Sequence, residues 1–238
     1  MSMLKERIFR SFVSNLLIAF VVLGVFGLTY LTVEQPAKAN PEGAIHRGAS
    51  DTKVALLFLI DGASGEGDNL DPILKILDTQ KVQATFALTG TWVIKNDEKL
   101  QKIVHSGHEV QNAGYFAKDF ATLGAGEINE SILTTHKLVE AIAGVTMRYF
   151  LPPTGTYNNE TLQVTHKLGY QTILWTHDSK DTQLQDGNAV VTNATQSTKA
   201  GDFVLLHASK MAKDNLEKII QVLKDKSLLL DTLSNVIE

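Results

Sequence analysis

Val54-Ala55-Leu56-Leu57-Phe58-Leu59-Ile60, followed by Asp61-Gly62, decides the fold. Seven apolar residues in a row, with no polar alternation, describe a strand buried on both faces. Strands of that kind belong to parallel sheets covered by helices. Working outward, the same grammar repeats. Leu70, Ile73, Leu74 and Leu77 share a helical face, and Gln83 to Leu88 reads as a second strand. A helix follows from Trp92 to His105, then a short strand at Glu109-Val110-Gln111 and a strong helix over Glu127 to Ala143. Tyr149-Phe150-Leu151 runs into Pro152-Pro153. Asn158 to Leu168 is helical and stops at Gly169, Gln171 to Trp175 and Phe203 to Leu206 are strands, and Asp214 to Lys226 is an amphipathic helix. Strand and helix alternate throughout, which argues for parallel βα units. Their number favours an α/β fold of the (β/α) barrel type, distorted or incomplete, in a single domain. No glycine-rich loop follows the first strand, which weakens a nucleotide-binding reading.

Composition narrows the function. Of 238 residues, 44% are hydrophobic and 20% charged, and the formal net charge is -4. No basic run points to nucleic acid. There is no cysteine, so disulfides, thiolate metal sites and a cysteine nucleophile are excluded. Lys5, Arg7 and Arg10 precede an uncharged run from Phe12 to Val33, long enough to cross ~30 Å of hydrocarbon as a helix. The basic residues place the N-terminus inside and the remainder outside. Ala37-x-Ala39 is a pattern that a signal peptidase cuts. Residues 1–33 are therefore read as a membrane anchor or a signal segment removed near Ala39, residues 34–52 as a polar linker, and 53–238 as the domain. Both readings of the terminus make the domain extracytoplasmic.

In a barrel of parallel strands the site lies at the C-terminal strand ends. The residues just after the strands are Asp61, Thr89, Asn112, Leu151 to Pro153, Thr176 to Asp178, and His207. Ala55 to Gly62, Val82 to Gly90, Gly107 to Asn112, Phe150 to Asn158, Leu174 to Asp181 and Val204 to His207 form an ordered series. Together they resemble the motifs of the polysaccharide deacetylase family, the NodB-homology or carbohydrate esterase 4 group. The resemblance covers about residues 53 to 238. It implies hydrolysis of an acetyl group on a sugar polymer. A divalent metal such as zinc, held by one aspartate and two histidines, polarises the carbonyl and its water, while an aspartate base and a histidine acid move protons.

Carried over residue by residue, the resemblance leaves most of that machinery missing. The metal aspartate falls on Asp61 and the general-acid histidine on His207, with Asp178 and Asp181 retained beside it. The two metal histidines fall on Ala113 and Ala117, the general base on Ile60, the orienting arginine on Leu151, and the tryptophan of the fourth motif on Thr182. A methyl group has no lone pair for a metal. No histidine lies between His108 and His136, so no slip of register restores a pair. The expectation is a degenerate deacetylase that needs no cofactor and binds cell-envelope glycan, with Tyr115 or Trp175 as an apolar platform. Two alternatives stand beside it. Asp61, His177, Asp178 and His207 rebuild a metal site in an active deacetylase; or Ile60 and Leu151 close the cleft and leave a protein-interaction module. His108 is expected to be a satisfied structural histidine, His105, His136 and His166 to face solvent, and Asn112 and Tyr157 to serve turns and packing.

Overall fold

The computed structural model describes residues 43–63 and 66–238. The apolar run quoted above is β1 (Lys53–Ile60). β2 (Thr85–Leu88), β3 (Glu109–Asn112), β4 (Tyr149–Phe150), β5 (Gln171–Thr172), β6 (His177–Asp178), β7 (Phe203–His207) and β8 (Leu229–Asp231) follow. Every pairing is parallel, in the order β5-β4-β3-β2-β1-β7-β6, and β8 pairs with the start of β1. The helices are α1 (Glu66–Gln80), α2 (Gly90–Val93), α3 (Asp97–His105), α4 (Ala125–Ala143), α5 (Asn159–Lys167), α6 (Gly187–Thr195), α7 (Lys210–Asp225) and α8 (Leu233–Ile237). This is the incomplete (β/α) barrel expected from the alternation of runs.

Two separate apolar cores follow from the pleat. Val54, Leu56, Phe58 and Ile60 of β1 join Phe86, Leu88, Val204 and Leu206 in a layer packed on the helices through Leu70, Ile132 and Leu216. The alternate residues, Ala55, Leu57 and Leu59, meet Ala87, Ala113, Leu151, Ile173, Phe203 and Leu205 inside the sheet's curve. Ile60 therefore belongs to the outer layer. It does not close the cleft, as the interaction-module alternative required; of the substituted positions, Leu151 and Ala113 lie in the inner layer. A run that is apolar on both faces hides which face is which, and only register against β2 and β7 reveals it.

The last ten residues of the expected linker are not a free tether. Ile45 pairs in parallel with Ile173, its N–H donating to the Thr172 carbonyl at 2.9 Å and its carbonyl accepting from Leu174 N–H at 2.9 Å. Two residues on, Arg47 forms an ion pair with Asp202 at 2.8 Å. The segment thus runs from the β5 edge of the sheet to the residues just before β6 and β7, where Thr176 Oγ1 donates to the His46 carbonyl at 2.6 Å. The opposite terminus closes the N-terminal end of the barrel. Leu233 and Val236 of α8 enter the inner core, Leu233 N–H donates to Thr85 Oγ1 at 2.8 Å, and Ser234 N–H donates to Glu109 at 3.2 Å.

Other elements depart from expectation for local reasons. The helix read over Trp92 to His105 breaks at Asn96. Its Nδ2 donates back to the Trp92 carbonyl at 2.9 Å and ends α2, while Asp97 and Glu98 suit the positive N-terminus of α3. His136 does not face solvent: it is half-buried, and its Nδ1 shares a 2.5 Å hydrogen bond with the Tyr170 hydroxyl. His108 is only partly satisfied. Its Nδ1 accepts from Ala84 N–H at 3.3 Å, but its buried Nε2 has no partner among the described residues. Burial lowers its pKa, with Asp78 pulling weakly the other way. His105 and His166 are exposed as expected. The apolar run from Phe12 to Val33 lies outside the described residues. Among the described ones no helix is long and apolar enough to cross a membrane.

Candidate functional site

β7 ends by delivering His207 to the mouth of the barrel. Residues 203 and 205 point inward, and His207 continues that row. The chain then turns at Ser209, whose hydroxyl caps α7 by accepting from Ala212 N–H at 3.0 Å. Asp181, just beyond β6, is buried beneath this turn and gathers its donors. It accepts from Ser179 Oγ at 2.8 Å, from Ser209 Oγ at 2.5 Å, from the His207 backbone N–H at 3.1 and 3.2 Å, and pairs with His207 Nδ1 at 3.2 Å. Ser179 and Ser209 were not singled out from sequence; the N-cap position of Ser209 directly after the closing strand was the available signal.

Electrostatics bind the pair together. Burial alone would raise the Asp181 pKa, but the hydrogen bond and charge of His207, helped by Ser209 and Ser179, hold it below the ordinary carboxylate value. Burial alone would lower the His207 pKa, but the hydrogen bond and charge of Asp181, with the charges of Asp61 and Asp178, raise it. Asp61 follows β1, and its Oδ1 accepts from Ala63 N–H at 2.8 Å; Asp178 Oδ1 accepts from Lys180 N–H at 2.8 Å. The site is thus a buried aspartate–histidine pair with two carboxylates near enough to act on the imidazole.

Of the other positions singled out by the resemblance, Ile60, Ala113, Ala117 and Leu151 hold apolar side chains. Ala113 is fully buried in the inner core and Ala117 is exposed on the following loop. Leu151 is also fully buried. The rebuilt metal set fails on His177. Its Nε2 meets Asp202 Oδ2 at 2.9 Å, next to the Arg47 ion pair, so β6 directs this ring toward the start of β7 rather than to the mouth. Among the described residues no group of three His, Cys, Asp or Glu side chains is placed to hold a metal. The donor set does not fit the divalent ion that the family resemblance implies.

The two aromatic candidates differ. Trp175 lies against the Pro152–Gly155 turn; a Cβ added at Gly155 would sit 2.6 Å from its ring. Tyr115 covers Gly90 in the same way at 2.4 Å, and also lines a surface cleft with Phe116. Asn112 shapes a turn, its Oδ1 accepting from Gly114 N–H at 2.8 Å and its Nδ2 donating to the Ile132 carbonyl at 2.9 Å. Gly114 needs its left-handed φ of 78° there.

Residues 47–173 match the model of the polysaccharide deacetylase family. The chain belongs to that family. Among its relatives, the uncharacterized protein YlxY of Bacillus subtilis is 31% identical over 194 residues, which cover 82% of this chain and 60% of that protein. The chain therefore spans less than two thirds of that relative's length. A peptidoglycan-N-acetylglucosamine deacetylase of Bacillus cereus is 26% identical over 194 residues, covering 78% of this chain and 68% of the relative. A carbohydrate esterase 4 family pseudoenzyme from Bacillus anthracis superposes with a TM-score of 0.79 at 27% identity, covering 84% of this chain and 70% of the other. A mutant of that pseudoenzyme with restored enzymatic activity superposes equally well, over 84% of this chain and 72% of its own. Within the polysaccharide deacetylase family this chain thus keeps the barrel fold.

Proposed function

We propose that the chain is a polysaccharide deacetylase homologue without metal-dependent hydrolysis, which binds cell-envelope glycan outside the cytoplasmic membrane. The observation that carries the loss of chemistry is Ala113, a methyl group sealed in the inner core at a position where the family needs an imidazole. With Ala117, Ile60 and Leu151 also substituted, His207 can hold a proton but faces neither a base nor a polarised carbonyl. A glycan role is supported by the retained mouth, where Asp61 and Asp178 offer acceptors, and by a relative named for peptidoglycan N-acetylglucosamine. Location outside the membrane is supported by Lys5, Arg7 and Arg10 ahead of the apolar run.

Acetate release from acetylated chito-oligosaccharide, with zinc supplied in excess, tests the catalytic half. The expected result is a rate indistinguishable from that of the His207→Gln variant. Turnover that depends on both zinc and His207 would overturn it.

A further inference from the structure

A second recognition feature stands on the rim. The loop after β3 and the first turns of α4 enclose a cleft of about 380 Å³, whose lining includes Tyr115, Phe116, Lys118, Glu127, Glu130 and Thr134. It opens at the C-terminal end of β3, while the His207–Asp181 pair belongs to β7, on the far side of β2 and β1. Phe116 is 50% exposed, unusual for a large apolar side chain in this fold. Tyr115 packs edge-on against it, with ring centroids 4.7 Å apart. The Phe116 ring already attracts an ammonium: Lys118 Nζ lies 5.6 Å from its centroid. Glu127 and Glu130 lie three residues apart on one face of α4. Glu127 reaches back weakly to Gly124 N–H at 3.4 Å, and Glu130 has no hydrogen-bond or ion-pair partner among the described residues. Two carboxylates against one lysine leave the cleft negative beside an aromatic wall.

We infer that this cleft binds a de-N-acetylated amino sugar, a hexosamine unit whose free amine is protonated. The inference rests on the glycan-binding reading and gives it a substrate class. The C–H face of the pyranose lies on Phe116 and Tyr115, and the ammonium is set between Glu127 and Glu130. An N-acetyl group at the same place is neutral, bulkier and turns a methyl toward the carboxylates. The chain therefore reads the product of deacetylation rather than its substrate, and the class of reaction that must supply its ligand is amide hydrolysis on an amino-sugar polymer.

The test uses the full chain on sensors bearing chitotetraose or its fully deacetylated counterpart, below the pKa of the amine. The deacetylated sugar is expected to bind about tenfold tighter, the ratio given by ~1.4 kcal/mol. Glu130→Gln and Phe116→Ala, both at exposed positions, are expected to remove most of that preference. Glu217→Gln, an exposed carboxylate on α7, leaves it unchanged. Equal losses in Glu130→Gln and Glu217→Gln would mean general attraction of a polycation, and would overturn the proposal. Binding that is equal for both sugars, or lost only in His207→Gln, would also overturn it while leaving the glycan reading intact. Binding of neither sugar would overturn both.

Discussion

A chain carrying Ile60→Asp, Ala113→His, Ala117→His and Leu151→Arg together is expected to bind zinc and to release acetate slowly, while each single change does neither. Groups that act as a unit are strongly non-additive, so one imidazole beside Asp61 cannot hold a catalytic ion. The structure adds a cost. Ala113 and Leu151 are fully buried in the inner core and Ile60 in the outer one. Enlarging a packed site costs roughly 1–3 kcal/mol, and an unpaired buried charge several more. The combined variant should lose at least ~3 kcal/mol, or roughly 6–12 °C in melting temperature. Zinc should recover part of that loss by binding only the folded state. That a pseudoenzyme of this fold has a mutant with restored activity makes the outcome reachable. Full activity from Ala113→His alone would refute the account of the site.

Asp181→Ala is expected to be among the most damaging substitutions on the surface-facing half of the barrel. It strands the Ser179 and Ser209 hydroxyls and both donors of His207 in a buried space. Removing one partner of a buried, hydrogen-bonded pair costs about 3–5 kcal/mol. The pH dependence has a definite sign. The raised His207 pKa contributes stability that is complete below the unfolded value of 6.5 and is lost as pH rises through the folded value. The lowered Asp181 pKa contributes stability present above the unfolded value of 3.8 and lost as pH falls through the folded one. The pair therefore supports the fold most between those two unfolded values, and Asp181→Ala should lower the denaturation midpoint throughout that window and flatten its decline below 3.8 and above 6.5. The His207 titration should move down, because burial then faces only the more distant Asp61 and Asp178. Asp181→Asn, which keeps the shape, separates charge from packing. An unmoved His207 titration in either variant would show that the pair is not coupled as described.

Much of the architecture is legible in single stretches. β1, β2 and β7 announce themselves as apolar runs, and α4 and α7 by their spacing. α6 does not: Gly187-Asn188-Ala189-Val190-Val191-Thr192 has β-branched residues and no clear helical stripe, and only the Asp186 cap, accepting from Asn188 N–H at 2.9 Å, marks its start. β6 is two polar residues whose strand geometry comes from β7. The site divides in the same way. Asp61, Asp181 and His207 could be named because ordered motifs place them at strand ends. The partner of His177 could not, because Asp202 is brought to it by the β6–β7 pairing across 25 residues. The Glu127–Glu130 cleft was equally hidden, since the loop after β3 had to fold onto α4 before Phe116 met carboxylates.

The most direct measurement of the central claim is the zinc content of the unmodified chain after equilibration with zinc and exhaustive dialysis, read by elemental analysis beside the fourfold variant. Asp61 alone predicts far less than one zinc per chain in the natural sequence and near one in the variant. Near-equimolar zinc in the natural chain, lost on Asp61→Ala, would contradict the account.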